Sequence, residues 1–466
     1  MSMSPLSWRR VTQAGALGLA GLALAACTTA GATTPGPTTP VSADQSAPSI
    51  VTTLPVSAQT ENEEAISTTV AEETSDGASE STSDETETET AEEGQKDVVV
   101  SAADDLTAVD THYDGDDLEW DAAEEVAITL ADGGSTADST GVSVEGDVIT
   151  ITEGGVYRIS GELTDGQVIV SAPDDDTVTL VLDGVSVTSS TGPALAVTTA
   201  DEVTVVLEGE NALADGSGYE VADDATPVAA LASASDLTIA GEGSLTVTGN
   251  TNDAISSRDG LVIASGDVSL SAVDDGIRGK DYVVLLDGTV DVIAQGDGVK
   301  SDNADDAHRG WVLVAGGELT VQSGDDGVKG EQALQVAGGS VTVTSSVEGL
   351  ESANLLISGG SVQVTASDDG LNSTASGGVG GEADDGSRMV ISGGTVVVQA
   401  GSDGLDSNGS VSLTGGEITI TSAANGGEGP VDANGSITLD GAAVTTNGTT
   451  ITSADQLGTR MGGPRP

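Results

Sequence analysis

Pairs of carboxylates set in front of a glycine recur through the second half of the chain. Asp274-Asp275-Gly276, Asp325-Asp326-Gly327 and Asp368-Asp369-Gly370 carry the full pattern, and Asp297-Gly298, Glu348-Gly349 and Asp403-Gly404 carry one acid before the glycine. Oxygen donors at this density point to calcium, which takes six to eight oxygens at about 2.3–2.6 Å from carboxylates, backbone carbonyls and water. Asp-Gly is also ordinary turn chemistry, so a ligand role requires the copies to converge in space. The residues assigned to metal are Asp274 and Asp275, Asp297 with Asp302, Asp325 and Asp326, and Asp368 and Asp369. The copies that depart from the pair are weaker candidates: Glu348, Asp403, and Asn252-Asp253-Ala254, where alanine stands at the glycine position.

Basic residues are scarce, 13 against 76 acidic ones, so their placement carries information. Arg278, Lys280, Lys300 and Lys329 all follow closely on an acidic-turn glycine. Two roles fit them: pairing with acidic groups on a sugar, or offsetting the neighbouring aspartates. Trp311, after the polar insert SDNADDAHR (301–309), is a candidate for stacking on a sugar ring and equally for packing at the edge of a repeat. Tyr113 and Trp120 precede the regular segments and fit an N-terminal cap, and His308 fits an exposed position. With only two histidines in the chain, and His112 outside the repeats, no Ser/His/Asp set is indicated and no catalytic residue is assigned. A pectate-type lyase would need a lysine base such as Lys300 or Lys329, but neighbouring aspartates hold a lysine in its charged form.

The elements that must position these residues are short strands. Segments such as ITITEGGVYRISGEL (149–163) and VTLVLDGVSVTSS (178–190) alternate apolar and polar residues with period two, and no segment reads as an amphipathic helix. Self-similarity then sets the architecture. LQVAGGSVTVTSSVEGLES (334–352), LLISGGSVQVTASDDGLNS (355–373) and MVISGGTVVVQAGSDGLDS (389–407) share one plan: strand, Gly-Gly turn, strand, acidic turn, third short strand. Several intervals between acidic-turn glycines are 21 or 22 residues, and longer ones hold polar inserts such as STASGGVGGEADDGSR (373–388). Three short strands in a unit of about 22 residues predict a parallel β-helix, an all-β solenoid of three sheets. Aliphatic residues stacking on their counterparts one coil away give it a core without phenylalanine, and glycine supplies corners that need positive φ. Equivalent carboxylates would then lie about 4.8 Å apart and repel by roughly 3 kcal/mol at an effective dielectric near 20. A divalent cation reverses the sign of that interaction.

With these strands and turns together, 153–197 and 237–303 resemble a bacterial family of calcium-binding, polysaccharide-lyase-like, carbohydrate-binding β-helix proteins. The resemblance covers roughly 120–440. It implies a right-handed helix, bound calcium, and binding of cell-wall polysaccharides that include acidic sugars.

The N-terminal part has a different character. Arg9 and Arg10 precede an apolar run ending in Leu24-Ala25-Ala26-Cys27, too short to span a bilayer. It reads as a signal peptide over 1–26. Its end is similar to the lipobox of bacterial lipoproteins, in which the cysteine, here Cys27, becomes the acylated mature terminus. Residues 27–97, Thr/Pro/Ser-rich and then acidic, read as a disordered tether, with the β-helix and its N-terminal cap over 98–460. A net charge of −63 excludes nucleic acid as a partner. The expectation is a lipid-anchored protein outside the cytoplasm that binds polysaccharide with calcium. A calcium-dependent lyase and a structural or adhesive surface rod are the alternatives.

Overall fold

A chain of short, aliphatic, period-two segments broken by glycine turns can bury one face of each strand only by stacking repeats. The computed structural model describes residues 105–219, 226–375, 383–423 and 429–458, all within the second of two units, Thr88–Pro466. The signal peptide, Cys27 and the tether lie outside the described residues, as does the whole first unit, Met1–Glu87.

The described residues wind into a parallel β-helix. One coil runs Asp236–Gly241, Ser244–Gly249, Asp253–Ser257, and the next runs Gly260–Ile263, Asp267–Ala272, Ile277–Gly279. Each strand pairs in parallel with its counterpart one coil on: Leu237 with Leu261, Val247 with Leu270, Ile255 with Ile277. Three sheets result, called first, second and third in the order in which the chain enters them. Coil length is 22 residues where the sequence is regular. It rises to 29 where the 302–310 insert leaves the third sheet and to 34 where 374–387 does.

The core is a set of aliphatic columns. In the second sheet Leu213, Val247, Leu270, Val292, Val321, Val343, Val364, Val398 and Ile420 lie in register, and all are buried. Glycine serves two different corners. Between first and second sheets the repeated glycines Gly317, Gly339, Gly360, Gly394 and Gly416 take φ between +65° and +83°, a region costly for other residues. The acidic-turn glycines, between second and third sheets, are not at positive φ. There a Cβ at Gly276 would run into Val292 and the Gly298 carbonyl, and one at Gly327 into Val343 and the Gly349 carbonyl. Close approach of successive coils, rather than backbone conformation, requires those glycines.

Antiparallel pairs cover both ends: Val142–Glu145 with Val148–Ile151 at the start, and Ala443–Thr446 with Thr449–Ile451 at the finish. At the first end Arg158 joins Glu125, Asp183 and Glu208, and Trp120 Nε1 donates to Glu125. Residues 105–118 lie against the outer face of the first sheet. Leu106 and Tyr113 pack with Val262, Tyr282 and Trp311, and Gln335, 229 residues away, accepts from the Leu106 N–H and donates to Asp105. Tyr113 therefore belongs to a strap along the side of the rod, not to its end.

Candidate functional site

The acidic turns all join the second sheet to the third, so the coil register decides which acids meet. Pairing of Ile255, Ile277, Val299, Val328, Leu350, Leu371 and Leu405 makes Asp253, Asp275, Asp297, Asp326, Glu348, Asp369 and Asp403 equivalent, one per coil. These acids hydrogen-bond along the column. Asp253 Oδ1 accepts from the Asp275 N–H at 3.2 Å, Asp275 from Asp297 at 2.8 Å, Asp297 from Asp326 at 2.9 Å, and Asp369 from Asp403 at 2.8 Å. Asp403 accepts from the Gly429 N–H, and Glu348 accepts from the Asn372 side chain at 2.8 Å. The inner acids Asp253, Asp275, Asp297, Glu348, Asp369 and Asp403 are thus staples between coils as well as oxygen donors, a role the spacing did not disclose.

Four groups of acids place one oxygen each within 4.8 Å of the others: Asp253/Asp274/Asp275, Asp297/Asp325/Asp326, Asp326/Glu348/Glu351 and Asp403/Asp406/Asp432. Oxygens sharing one calcium at about 2.4 Å can lie no farther apart than about twice that bond length, so the groups fit the ion in donor type and spacing. Of the sequence candidates, Asp274, Asp275, Asp297, Asp325 and Asp326 fall in these groups. Asp302 does not group with Asp297; it forms an ion pair with Arg278. Asp368 and Asp369 belong to no such group among the described residues. Sequence reasoning ranked Asp253, Glu348 and Asp403 only as weaker candidates and passed over Glu351, Asp406 and Asp432. The signal for Asp253 was its distance of 22 residues from Asp275, masked by Ala254 at the glycine position.

Burial shapes the charge of the column. Burial, with the charge of Asp275 beside it, pushes Asp253 up to about 7, against the pull of Arg278. Burial also raises Asp275, Glu348 and Glu351. Asp326 rises to about 8, by burial and then Glu351, with Lys329 opposing. Two carboxylates there share one ammonium, and the surplus negative charge favours a retained proton.

The basic residues form a second column beside the acids, running Ser256, Arg278, Lys300, Lys329, Glu351, Asn372, Asp406. Lys300 Nζ lies 2.6 Å from Asp297 and 3.6 Å from Asp275; Lys329 Nζ lies 2.8 Å from both Asp326 and Glu351. Burial lowers both lysines, but hydrogen bonds and charges from these carboxylates outweigh it, and both end above the ordinary lysine range. They are internal counter-ions of the column. Arg278 holds Asp302, while Lys280 has no side-chain partner among the described residues. Trp311 is 1% exposed, stacked on Tyr282 at 4.6 Å, with its Nε1 donating to the His308 carbonyl. Its ring is a packing surface under the strap and is not presented to a sugar. His308 is exposed.

Residues 145–384 match the family described as carbohydrate-binding domain-containing protein. A relative of that description from Acetivibrio thermocellus is 40% identical over 200 residues, covering 42% of this chain and 70% of the relative. A solved structure of the polysaccharide lyase-like protein from C. thermocellum, a gadolinium derivative, is 29% identical. It covers 54% of this chain and 97% of its own, with a TM-score of 0.43.

Proposed function

The chain belongs to the family of carbohydrate-binding domain-containing proteins, and we propose that it binds an extracellular polysaccharide through calcium held on the acidic flank of the β-helix. The observation that supports this reading is the recurrence of carboxylate groups along one column of a chain in that family. Asp253, Asp274 and Asp275 would hold one ion, and Asp403, Asp406 and Asp432 another. Bound calcium supplies positive charge and open coordination positions for sugar hydroxyls or carboxylates. The chain itself supplies the spacing, because the rigid register carries the ligands at a fixed pitch. In the middle coils Lys300 and Lys329 already neutralise part of the column.

Binding without bond cleavage is the preferred reading, since the two lysines that would serve as a lyase base are held protonated by their carboxylate partners. Incubation of the mature chain with polygalacturonate, in calcium or in EDTA, tests both readings. Retention on the polymer only with calcium, with no rise in ultraviolet absorbance from unsaturated ends, is the expected result. A calcium-dependent rise abolished by Lys300→Ala or Lys329→Ala would make the protein a lyase. No retention and no rise would leave calcium as glue in a structural or adhesive rod.

Presentation at the bacterial surface completes this reading: acylated Cys27 would anchor the chain and 27–97 would lift the β-helix off the membrane. Cys27→Ala should then move the protein from the membrane fraction into the culture medium.

A further inference from the structure

Of the 13 basic residues, Arg9, Arg10, Lys96, Arg460 and Arg465 lie outside the described residues. Five of the remaining eight stand on the third sheet or directly after its strands: Arg258, Arg278, Lys280, Lys300 and Lys329. Most basic side chains here have a carboxylate within ion-pair distance, as expected when acids outnumber bases so heavily. Arg158, Arg278, Lys300, Arg309 and Lys329 all do. Arg258 and Lys280 have no side-chain partner among the described residues. Pairing of Ser257 with Gly279 puts these two cations in equivalent positions on adjacent coils, about 4.8 Å apart at the backbone. Two like charges that close, unpaired in a chain of net charge −63, are placed for an anion that comes from outside.

A cleft lies between them. Arg258, Arg278 and Lys280 line it with Asn252, Ser256 and Asp253, and its volume is ≈ 170 Å³. That is below the ~300 Å³ at which pockets begin to hold drug-sized ligands, so it suits one sugar unit or its charged substituent. Arg278 is fixed by its ion pair with Asp302, which presents the guanidinium without the ordering cost of a free side chain. Asp253 belongs both to this cleft and to the first carboxylate group, with Asp274 and Asp275. A carboxylate group and a basic cleft therefore adjoin across one residue.

We propose that the cleft formed by Arg258, Arg278 and Lys280 is an oxyanion subsite that takes a sugar-borne carboxylate or sulfate. The subsite rests on the polysaccharide-binding reading above and adds to it a place and a charge for one sugar unit. It also separates Arg258 and Lys280, which are available to a ligand, from Lys300 and Lys329, which the column consumes. Charge-assisted hydrogen bonds of this kind are the strong ones, and they weaken with salt where they reach solvent.

The test is calorimetric titration of the mature chain, with calcium present, using galacturonate, inorganic sulfate and glucose. Galacturonate or sulfate should bind and glucose should not; whichever oxyanion binds more tightly identifies the substituent. The double variant Arg258→Gln/Lys280→Gln should weaken that binding roughly tenfold or more, with an unchanged thermal midpoint, and Arg388→Gln should leave it as it is. Equal binding of the charged probe by wild type and double variant overturns the subsite, as does binding of glucose as tight as that of the oxyanions. If the double variant also keeps calcium-dependent retention on polygalacturonate, the broader reading stands without the subsite. If wild type binds galacturonate through Arg258 and Lys280 but retains no polymer, the subsite stands and the polysaccharide reading fails.

Discussion

At the scale of single residues, the acid column is both a liability and a fastener. Asp297 accepts the Asp326 N–H while its other oxygen holds Lys300. Asp297→Asn keeps an acceptor for that N–H and Asp297→Ala does not. The alanine variant should lose about 1–3 kcal/mol more than the asparagine variant, the cost of a buried unsatisfied N–H, read from denaturant midpoints. The raised carboxyls set a pH dependence with a definite sign. Asp253 at about 7 and Asp326 at about 8 hold protons more tightly in the folded chain than the ordinary value of 3.8. The folded state therefore binds more protons than the unfolded one between these limits, and stability falls as pH rises through that window. In EDTA, the denaturant midpoint should drop steadily from pH 5 to pH 8. Calcium should flatten the slope, since an ion on the carboxylates replaces the protons they would otherwise keep.

At the scale of the coil, the acidic turn joins an inner acid to a glycine that lets the next coil approach, and in three turns a basic residue, Arg278, Lys300 or Lys329, follows two positions after the glycine. Gly327→Ala should destabilise by about 1–3 kcal/mol, the usual cost of overpacking. The added methyl meets Val343 and the Gly349 carbonyl rather than open solvent. Lys329→Met should cost about 3 kcal/mol, the lower end for breaking a buried pair, because it leaves Asp326 facing Glu351 with no ammonium between them. The side chain's 26% exposure keeps the figure at that lower end. Calcium should recover part of the loss in Lys329→Met and little in Gly327→Ala. That difference, measured by thermal melting with and without the ion, separates a charge defect from a packing defect. The aliphatic columns and the Gly-Gly corners were legible at this scale because each obeys a local rule: period two for the strands, positive φ for the corner. The acidic-turn glycines were legible as turns, but their reason was not, since it depends on atoms of the following coil.

At the scale of the whole described unit, the strap ties distant coils together. Its Leu106 N–H donates to Gln335, and His112 reaches both Tyr282, at 2.8 Å, and Thr238, at 2.9 Å. One short segment thus spans first-sheet strands from Asp236–Gly241 to Val328–Val336. Deleting residues 105–113 should expose Val262, Tyr282 and Trp311 together, shift tryptophan emission to the red and lower the thermal midpoint. A rod whose coils each contact only their neighbours gains cooperativity from such a strap, so the truncated chain should also unfold over a broader temperature range.

The sequence by itself determined the β-helix, its three strands per coil, its aliphatic core and the flank on which the acids stand. Those features follow from hydrophobic period and repeat length, which are local. Tertiary structure alone decided which acids share a site. Coils of 22, 29 and 34 residues come into register only once stacked, and register brought Asp253 to Asp275 and parted Asp302 from Asp297. It also put Lys300 and Lys329 inside the acid column, left Arg258 and Lys280 without side-chain partners among the described residues, and hid Trp311 beneath a segment some 200 residues upstream. Contacts of that range depend on the path of the chain around the solenoid, and no spacing within a single repeat records it.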